Sequence, residues 1–555
     1  MIRRVGVGIA GGAAVIAVLT LLSRGAGFGR WLVFSDSVGA QCVGYVYGVA
    51  NQMPNVLFEV VAGGALAGAV VPLLAGPLSR AWEQDGAPGA AAHRGEADRI
   101  ASALLTWALL LLAPVAVLLA VGARPLMDVL VRQDQCPGAH QLGARMLLVF
   151  APQVVLYGFG VVLGGVLQAH HRFVWPALGP LLSSVVVMGA YLGFAATVGP
   201  HRDDPQALSG NAEAWLAWGT TAGVAVMTLP LLLPVARTGT RLRPTLRFPP
   251  GVGRRAAGLA SAGVVTLLAQ QASVLAVVVL SGTGSTSTLN VFQYTQAVYL
   301  LPYAVLVVPL ATSAFPRLAS AAATGDAQGY AGTAARTTRA VLLSALAGAA
   351  VLVAVSAPVG RFFGLLDPGD VSAMTPALVA MAPGLVGFAL VAHVGRALYA
   401  QERGRLAATA TAGGWASVVV AMALLVPLVP DDRVVVALAA GSSAGMVVAG
   451  VALLVALRRV GGPAALAGLA RTAAGCGAAC VVAAGAGWWV GDAAAGAWGS
   501  GLLGAVVAGA VAMVVCTLLV VAGVALLDRP TLSAARQVRR RVPRVAAAGR
   551  GVDGS

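Results

Sequence analysis

The stretch Thr20-Leu-Leu-Ser-Arg24-Gly-Ala-Gly-Phe-Gly-Arg30 sets two arginines and three glycines inside an otherwise apolar run, and a polar-studded helix is expected from Tyr45 to Leu74. On insertion scales an arginine at mid-helix costs about 2.5 to 3.5 kcal/mol, so Arg24 and Arg30 are expected to face protein or a wet cavity rather than lipid. An anionic cargo would account for both. The glycines weaken the helix and would let it unwind locally, so that the two guanidiniums converge. The competing reading is that each arginine snorkels to an interface or pairs with Glu59.

The surrounding chain explains why the stretch must be read as membrane. Of 555 residues 58% are hydrophobic and 10% charged, against about 25% charged in a soluble domain. Apolar residues come in long blocks rather than in the alternation of an outer-membrane barrel, so the spanning elements are helices. An all-α membrane protein of about fourteen helices is expected, at 6–34, 43–77, 100–122, 142–169, 175–199, 212–236, 255–281, 287–315, 337–358, 375–400, 405–429, 433–457, 466–490 and 499–526.

All 36 basic residues are arginine, against 20 acidic ones, for a net charge of +16. They gather in alternate loops, including Arg237, Arg241, Arg243, Arg247, Arg254 and Arg255 in one linker. The other loops hold few: Arg124, Arg132, Arg202, Arg361 and Arg433. This is the positive-inside pattern, so the arginines read as a topology signal rather than a nucleic-acid surface, with both termini cytoplasmic. The N-terminal run continues into the arginine stretch without a small-residue cleavage site and reads as a retained first helix.

The two halves echo each other. Thr20-Leu-Leu is matched by Thr266-Leu-Leu, the internal Pro54 by Pro302, and the segment Pro152 to Arg172 by the equally long Pro383 to Arg403. Six helices separate the repeats, an even number, so they share one orientation. The expected organisation is an N-lobe over 1–236, a basic linker over 237–254, a C-lobe over 255–457, two further helices over 458–527 and a basic tail over 528–555. Two such lobes around a central cavity, able to rock, are transporter architecture. Trp488 and Trp489 suit a membrane anchor. The tail, with Arg536, Arg539, Arg540, Arg541 and Arg544, suits either anionic lipid headgroups or simple solubility.

Further polar groups lie within the expected spans. Asn51, Asn55 and Glu59 fall at i, i+4 and i+8, on one helix face. Glu59, being ionisable, could balance an arginine in an empty cavity and release it to an anion. In the second half stand Gln270, Gln271, Asn290, Gln293, Gln296, His393 and Arg396. The amides can donate to phosphate or sugar oxygens without adding charge, whereas Arg396 near a helix end also suits snorkelling and His393 packing. Cys42, Cys136, Cys476, Cys480 and Cys516 have no metal-ligand spacing, and Cys476 with Cys480 reads as packing. No Walker loop, zinc spacing or Ser-His-Asp arrangement appears, so neither an enzyme nor a cofactor is expected.

The chain resembles the MurJ/MviN family of the MOP exporter superfamily, its actinobacterial branch most. The resemblance rests on Ser23-Arg24-Gly-Ala-Gly27-Phe28-Gly-Arg30, Ala50-Asn-Gln-Met-Pro54-Asn55, Gly63-Gly64-Ala65-Leu66, Gln168-Ala-His-His-Arg172-Phe173, Leu301-Pro302-Tyr303 and Phe315-Pro316-Arg317-Leu318. It implies fourteen helices, a cationic central cavity and alternating access that carries the undecaprenyl-diphosphate-linked peptidoglycan precursor, lipid II, between leaflets. Arg24 and Arg30 match the arginines of the family's first helix. Departures lie at Trp31, where an acid is usual, at Tyr45 for an aspartate, at Phe58 and Glu59 for an arginine pair, and at Ala297 for an arginine.

The site implied is Arg24 and Arg30 on the diphosphate, Asn51, Asn55, Gln270, Gln293, Gln296 and Arg396 on sugar or phosphate, and Glu59 as counter-charge. Partners would be the lipid-linked precursor, membrane lipids and cell-wall synthesis proteins. Two alternatives keep much of this reading. One is an exporter of another lipid-linked oligosaccharide or of a small molecule; the other is a non-transporting scaffold that recruits cell-wall enzymes through the tail.

Overall fold

Apolar runs of this length satisfy their own peptide groups only by coiling, and the computed structural model is helical almost throughout. It describes residues 2–84, 88–131, 136–261, 263–497 and 501–527. Arg132 and the basic tail lie outside the described residues.

The helices are α1 Ile2–Ser37, α2 Cys42–Phe58, α3 Gly64–Glu83, α4 Pro88–Val121, α5 Ala123–Leu130, α6 Ala139–Phe150, α7 Gln153–Ala169, α8 Val174–Thr197, α9 Gly210–Thr228, α10 Leu232–Ala236, α11 Val252–Ser261 and α12 Val264–Ser281. They continue as α13 Thr288–Pro302, α14 Val308–Ala323, α15 Ala327–Ala354, α16 Ser356–Leu366, α17 Met374–Met381, α18 Gly384–Ala400, α19 Gly404–Leu425, α20 Val434–Gly461, α21 Leu469–Ala497 and α22 Leu502–Leu527. Among the described residues, eleven helices are long and apolar enough to cross a membrane, twelve if α17 and α18, bent by 43°, count as one span. The hydropathy reading expected about fourteen; the helical stretches over 2–37 and 42–83 are not among these spans.

The internal repeat has a structural counterpart. Pro152 and Pro383 each stand at the N-terminus of a helix, α7 and α18, and each helix ends in the same cap. His171 and Glu402 adopt left-handed φ of 57° and 58°. The next amide reaches back over the turn, Arg172 to Leu167 at 2.8 Å and Arg403 to Leu398 at 3.0 Å. That backward bond satisfies a carbonyl the helix end would leave open. The two internal prolines also behave alike. α2, which holds Pro54, passes into a π-turn at Glu59–Gly63, and α13, which ends on Pro302, passes into one at Tyr303–Val307.

The chain forms two compact units, residues 1–293 with 366–371, and residues 294–365 with 372–555. The first therefore runs past the lobe boundary expected at 237–254. Its basic linker is strapped along α4: the Arg243 and Thr245 amides donate to Ser102 Oγ (3.0 Å) and Thr106 Oγ1 (3.1 Å), and Trp107 Nε1 donates to the Leu246 carbonyl (3.1 Å). α12 then packs on α2, its π-turn and α3.

In the second unit α21 and α22 pack on each other and on α15. Their seam is made of small residues and buries Cys476, Cys480 and Cys516 among Ala350, Ala354 and Ala483, as apolar packing expects. Trp488 and Trp489 are exposed, as an interfacial anchor requires.

Candidate functional site

α1 is continuous through Gly25, Gly27 and Gly29, which corrects the expectation of local unwinding. A Cβ at Gly25 or Gly27 would meet nothing within 4 Å, so neither glycine is needed for a close approach. On an unbroken helix six residues advance about 600°, which leaves Arg24 and Arg30 about 120° apart in projection. Arg24 is exposed and Arg30 half-buried. Neither pairs with a carboxylate among the described residues, and Glu59 is in no ion pair there either.

Arg30 instead borders an aromatic wall. Its guanidinium carbon lies 5.8 Å from the Trp31 ring centroid, and the Trp31 ring packs edge-on against Phe34 at 5.9 Å. Behind it, Tyr47 Oη lies 2.9 Å from both Tyr191 Oη and Thr220 Oγ1, and Phe34 and Phe150 pack on the Tyr47 ring. A ring face carries negative potential and holds a cation without neutralising it. The position where an acid is usual in the resembling family thus holds a group that leaves the arginine's charge available.

On α2 the expected polar stripe is observed. Asn51 and Glu59 are half-buried and Asn55 exposed, while Met53, Pro54, Val56 and Phe58 between them are buried. The stripe is therefore the face this unit leaves open. Glu59 opens the π-turn, and its amide lies within reach of both the Asn55 and Val56 carbonyls.

Gln270 is half-buried on α12, the helix packed against that π-turn. Gln293 is 8% exposed and its Nε2 has no hydrogen-bond partner among the described residues. Its neighbour Asn290 is fully buried and donates from Nδ2 to the Ala40 carbonyl at 3.2 Å. So the first unit brings Arg24, Arg30, Asn51, Asn55, Glu59 and Gln270 to accessible positions and keeps Gln293 inside.

In the second unit Gln296 is exposed on α13. Arg396, half-buried on α18, donates back to the Ala392 carbonyl one turn earlier. His393 is fully buried, with Nε2 3.0 Å from Thr337 Oγ1 and Nδ1 unpartnered among the described residues.

A cavity of about 380 Å³ in the first unit was not anticipated from the sequence. Tyr157, Val161, Gly164 and Gln168 line it from α7, opposite Phe58 of α2 and Pro180 of α8. Their spacing of four, three and four residues was the available signal, since it places them on one helix face. The Phe58 and Tyr157 rings stand 5.5 Å apart at its edge. Also unforeseen was the Cys42–Cys136 disulfide, which ties the start of α2 to the approach to α6 across 94 residues.

The comparisons with known proteins converge. A family model described as lipid II flippase MurJ matches residues 34–509. The lipid II flippase MurJ of Burkholderia cenocepacia is 28% identical over 400 residues, which are 70% of this chain and 72% of that one. A solved structure of lipid II flippase MurJ in an inward closed conformation superposes with a TM-score of 0.68 at 16% identity, covering 91% of this chain and 98% of that one. An inward-facing MATE multidrug transporter of the MOP superfamily gives 0.63 at 15% identity, covering 81% and 98%. These two structural likenesses speak to the fold.

Proposed function

The chain belongs to the family of the lipid II flippase MurJ, and from that premise we propose that Arg24 and Arg30 are the groups that engage the diphosphate of its cargo. As a member of this family it is a multi-pass plasma-membrane transporter that moves lipid II, the lipid-linked peptidoglycan precursor, across the bilayer. One observation carries the assignment. Two guanidiniums stand on α1, in an otherwise apolar run, one exposed and one half-buried, with no carboxylate paired to either among the described residues. Charge kept unpaired at such cost points to an anion that arrives and leaves.

Asn51, Asn55 and Gln270 would donate to sugar or phosphate oxygens beside the arginines, and Glu59 would balance them when no cargo is bound. Gln293, Gln296 and Arg396 would take part as access changes. The moving bodies in this proposal are the repeated lobes, 1–236 and 255–457, because the capped helices and the π-turns recur with the repeat. The basic connections would face the cytoplasm, with both termini. The Cys42–Cys136 bridge supports that orientation: it joins helix ends opposite the arginine-rich connections, and structural disulfides persist on the oxidising side of the membrane.

The test is complementation of a conditional flippase-depletion strain. Wild-type chain should restore growth and clear accumulated precursor from lipid extracts. Full rescue by an Arg24→Ala, Arg30→Ala double variant would sink the site assignment while leaving the flippase function intact.

A further inference from the structure

The second unit carries a cationic cavity remote in sequence from every residue assigned above. It measures about 710 Å³, within the roughly 300 to 1,000 Å³ usual for small-molecule sites. One wall is the first turns of α15, which contribute Gln328, Arg336 and Arg339 to the lining; the other is the end of α20 at Gly461 and the connection to α21, including Gly468.

Two features make this a built site rather than a gap. The floor between the arginines is alanine and glycine, including Gly332 and Ala335, which leaves the volume open. Gly468, with φ of +76°, lies so close that a Cβ there would come 2.9 Å from Arg339 Nη1. The Arg339 guanidinium thus packs directly over the backbone of this glycine.

The arginines are oriented but not neutralised. Arg339 Nε donates to the Ala335 carbonyl and Arg336 Nη2 to Thr333 Oγ1, each at 3.4 Å. Neither pairs with a carboxylate among the described residues. The nearest acid in sequence, Asp326, caps α15 by accepting from the Gly329 amide at 2.8 Å. The start of α21 at Leu469, next to Gly468, sets a helix N-terminus beside Arg339, which favours negative charge.

We propose that this cavity binds the phosphate-bearing headgroup of an anionic membrane phospholipid. The chemistry required is a phosphate anion held by two guanidiniums and an amide, the geometry guanidinium groups suit best. A lipid is the favoured source because the cavity sits where apolar spans end. α20 carries exposed Val447, Val448, Val451 and Val455 toward its arginine-bearing end, a surface for acyl chains. Arg458 and Arg459 in the last turn of α20 and Arg471 at the start of α21 add positive charge around the mouth. The chain's own tail is an unsuitable occupant, since it is itself arginine-rich.

The experiment titrates the purified full chain in neutral detergent with phosphatidylglycerol or phosphatidylcholine and counts retained lipids by native mass spectrometry. Phosphatidylglycerol should bind in preference, and Arg336→Gln with Arg339→Gln should weaken it about tenfold or more. Lysine at both positions should restore part of the loss, and Arg458→Gln with Arg459→Gln, outside the cavity lining, should weaken binding less than the Arg336→Gln, Arg339→Gln pair does. If the double glutamine variant misfolds, Arg336→Gln alone gives the same comparison. Unchanged affinity in the variants, or equal binding of phosphatidylcholine, overturns the site. Displacement of the lipid by inorganic phosphate overturns the lipid as its source. Arg24 and Arg30 are untouched, so the outcome is independent of the flippase assignment.

Discussion

Arg30 holds its guanidinium carbon 5.8 Å from the ring centroid of the next residue, Trp31, where the family usually has an acid. A carboxylate there would neutralise the arginine; a ring stabilises the cation by about 0.5 to 2 kcal/mol and leaves its hydrogen-bond donors free. Trp31→Asp is therefore expected to lower transport by competing with the diphosphate, and Trp31→Phe to retain most of it. Arg30→Ala should fall furthest. Flipping of labelled lipid II in proteoliposomes, normalised to reconstituted protein, checks the order; a Trp31→Asp variant as active as wild type would remove the ring from the argument.

Asp203 lies in the connection between α8 and α9, half-buried, with Oδ1 unpartnered among the described residues. Burial raises its carboxyl pKa, Arg202 opposes the rise, and Asp367 adds to it. The folded state then binds the proton more tightly than the unfolded chain. Between the ordinary aspartate value and the raised one, this group's contribution to stability falls as pH rises, and above that window the penalty stays. Acidification into the window should raise the thermal midpoint, and Asp203→Asn should raise the midpoint at neutral pH and flatten the dependence. Melting in detergent across a pH series reads both; a lowered neutral midpoint in Asp203→Asn contradicts the sign.

What the sequence disclosed follows from cost. Arg24, Arg30 and the Asn51, Asn55, Glu59 stripe stand out because charge and amides in an apolar run need a reason, and the helix period alone places the stripe on one face. Pro152 and Pro383 disclosed the repeat because proline restricts backbone locally. Contacts made by chain closure stayed hidden. Asp367 accepts from Ser35 Oγ and the Ala40 amide, each at 3.0 Å, and nothing local to residue 367 announces partners more than 320 positions away. The strap along α4 depends on backbone amides that every residue carries, and Tyr157 with Gln168 needed the cavity to acquire meaning.

That Asp367 junction makes a stability prediction. The carboxylate is 5% exposed and also accepts from the Gly369 amide at 2.8 Å. Both amides converge on Oδ1 and the Ser35 hydroxyl on Oδ2, so asparagine can keep its oxygen on the amides and donate from its nitrogen to the hydroxyl, whereas alanine leaves the buried amides without their acceptor. Asp367→Ala should cost about 1 to 3 kcal/mol by leaving buried donors unsatisfied, and Asp367→Asn less. Thermal melting against Ser35→Ala, which removes one donor and leaves the backbone bonds, separates the contributions; an Asp367→Ala midpoint equal to wild type would dismiss the junction as a stabilising element.

The Cys42–Cys136 bridge closes a loop whose ends are 94 residues apart. By loop entropy such a closure stabilises by about 4 to 5 kcal/mol at most. Cys42→Ser should lower the thermal midpoint, and Cys136→Ser should match it, since either loss opens the same loop. A membrane-impermeant reductant applied to intact spheroplasts should open the bridge, as read by subsequent thiol labelling. Protection from that reductant until the membrane is permeabilised would reverse the proposed orientation.

Glycines give the last prediction, because two sets of them face opposite surroundings. Gly387 of α18 abuts α20 so closely that a Cβ would overlap the Met446 carbonyl oxygen, and Gly450 of α20 would place its own Cβ 2.9 Å from the Gly387 Cα. Small residues allow this approach of two helix backbones. Backbone cannot move aside as a flexible side chain can, so Gly387→Ala should cost about 1 to 3 kcal/mol or more through overpacking. Gly25 and Gly27 of α1 meet open space, and alanine there should be neutral or stabilise by up to about 1 kcal/mol through helix propensity. Yield of monodisperse protein and its melting temperature distinguish the sets. A loss in Gly27→Ala equal to that in Gly387→Ala would mean that α1 needs its glycines for a bend, and would return the arginine stretch to the unwound form its sequence first suggested.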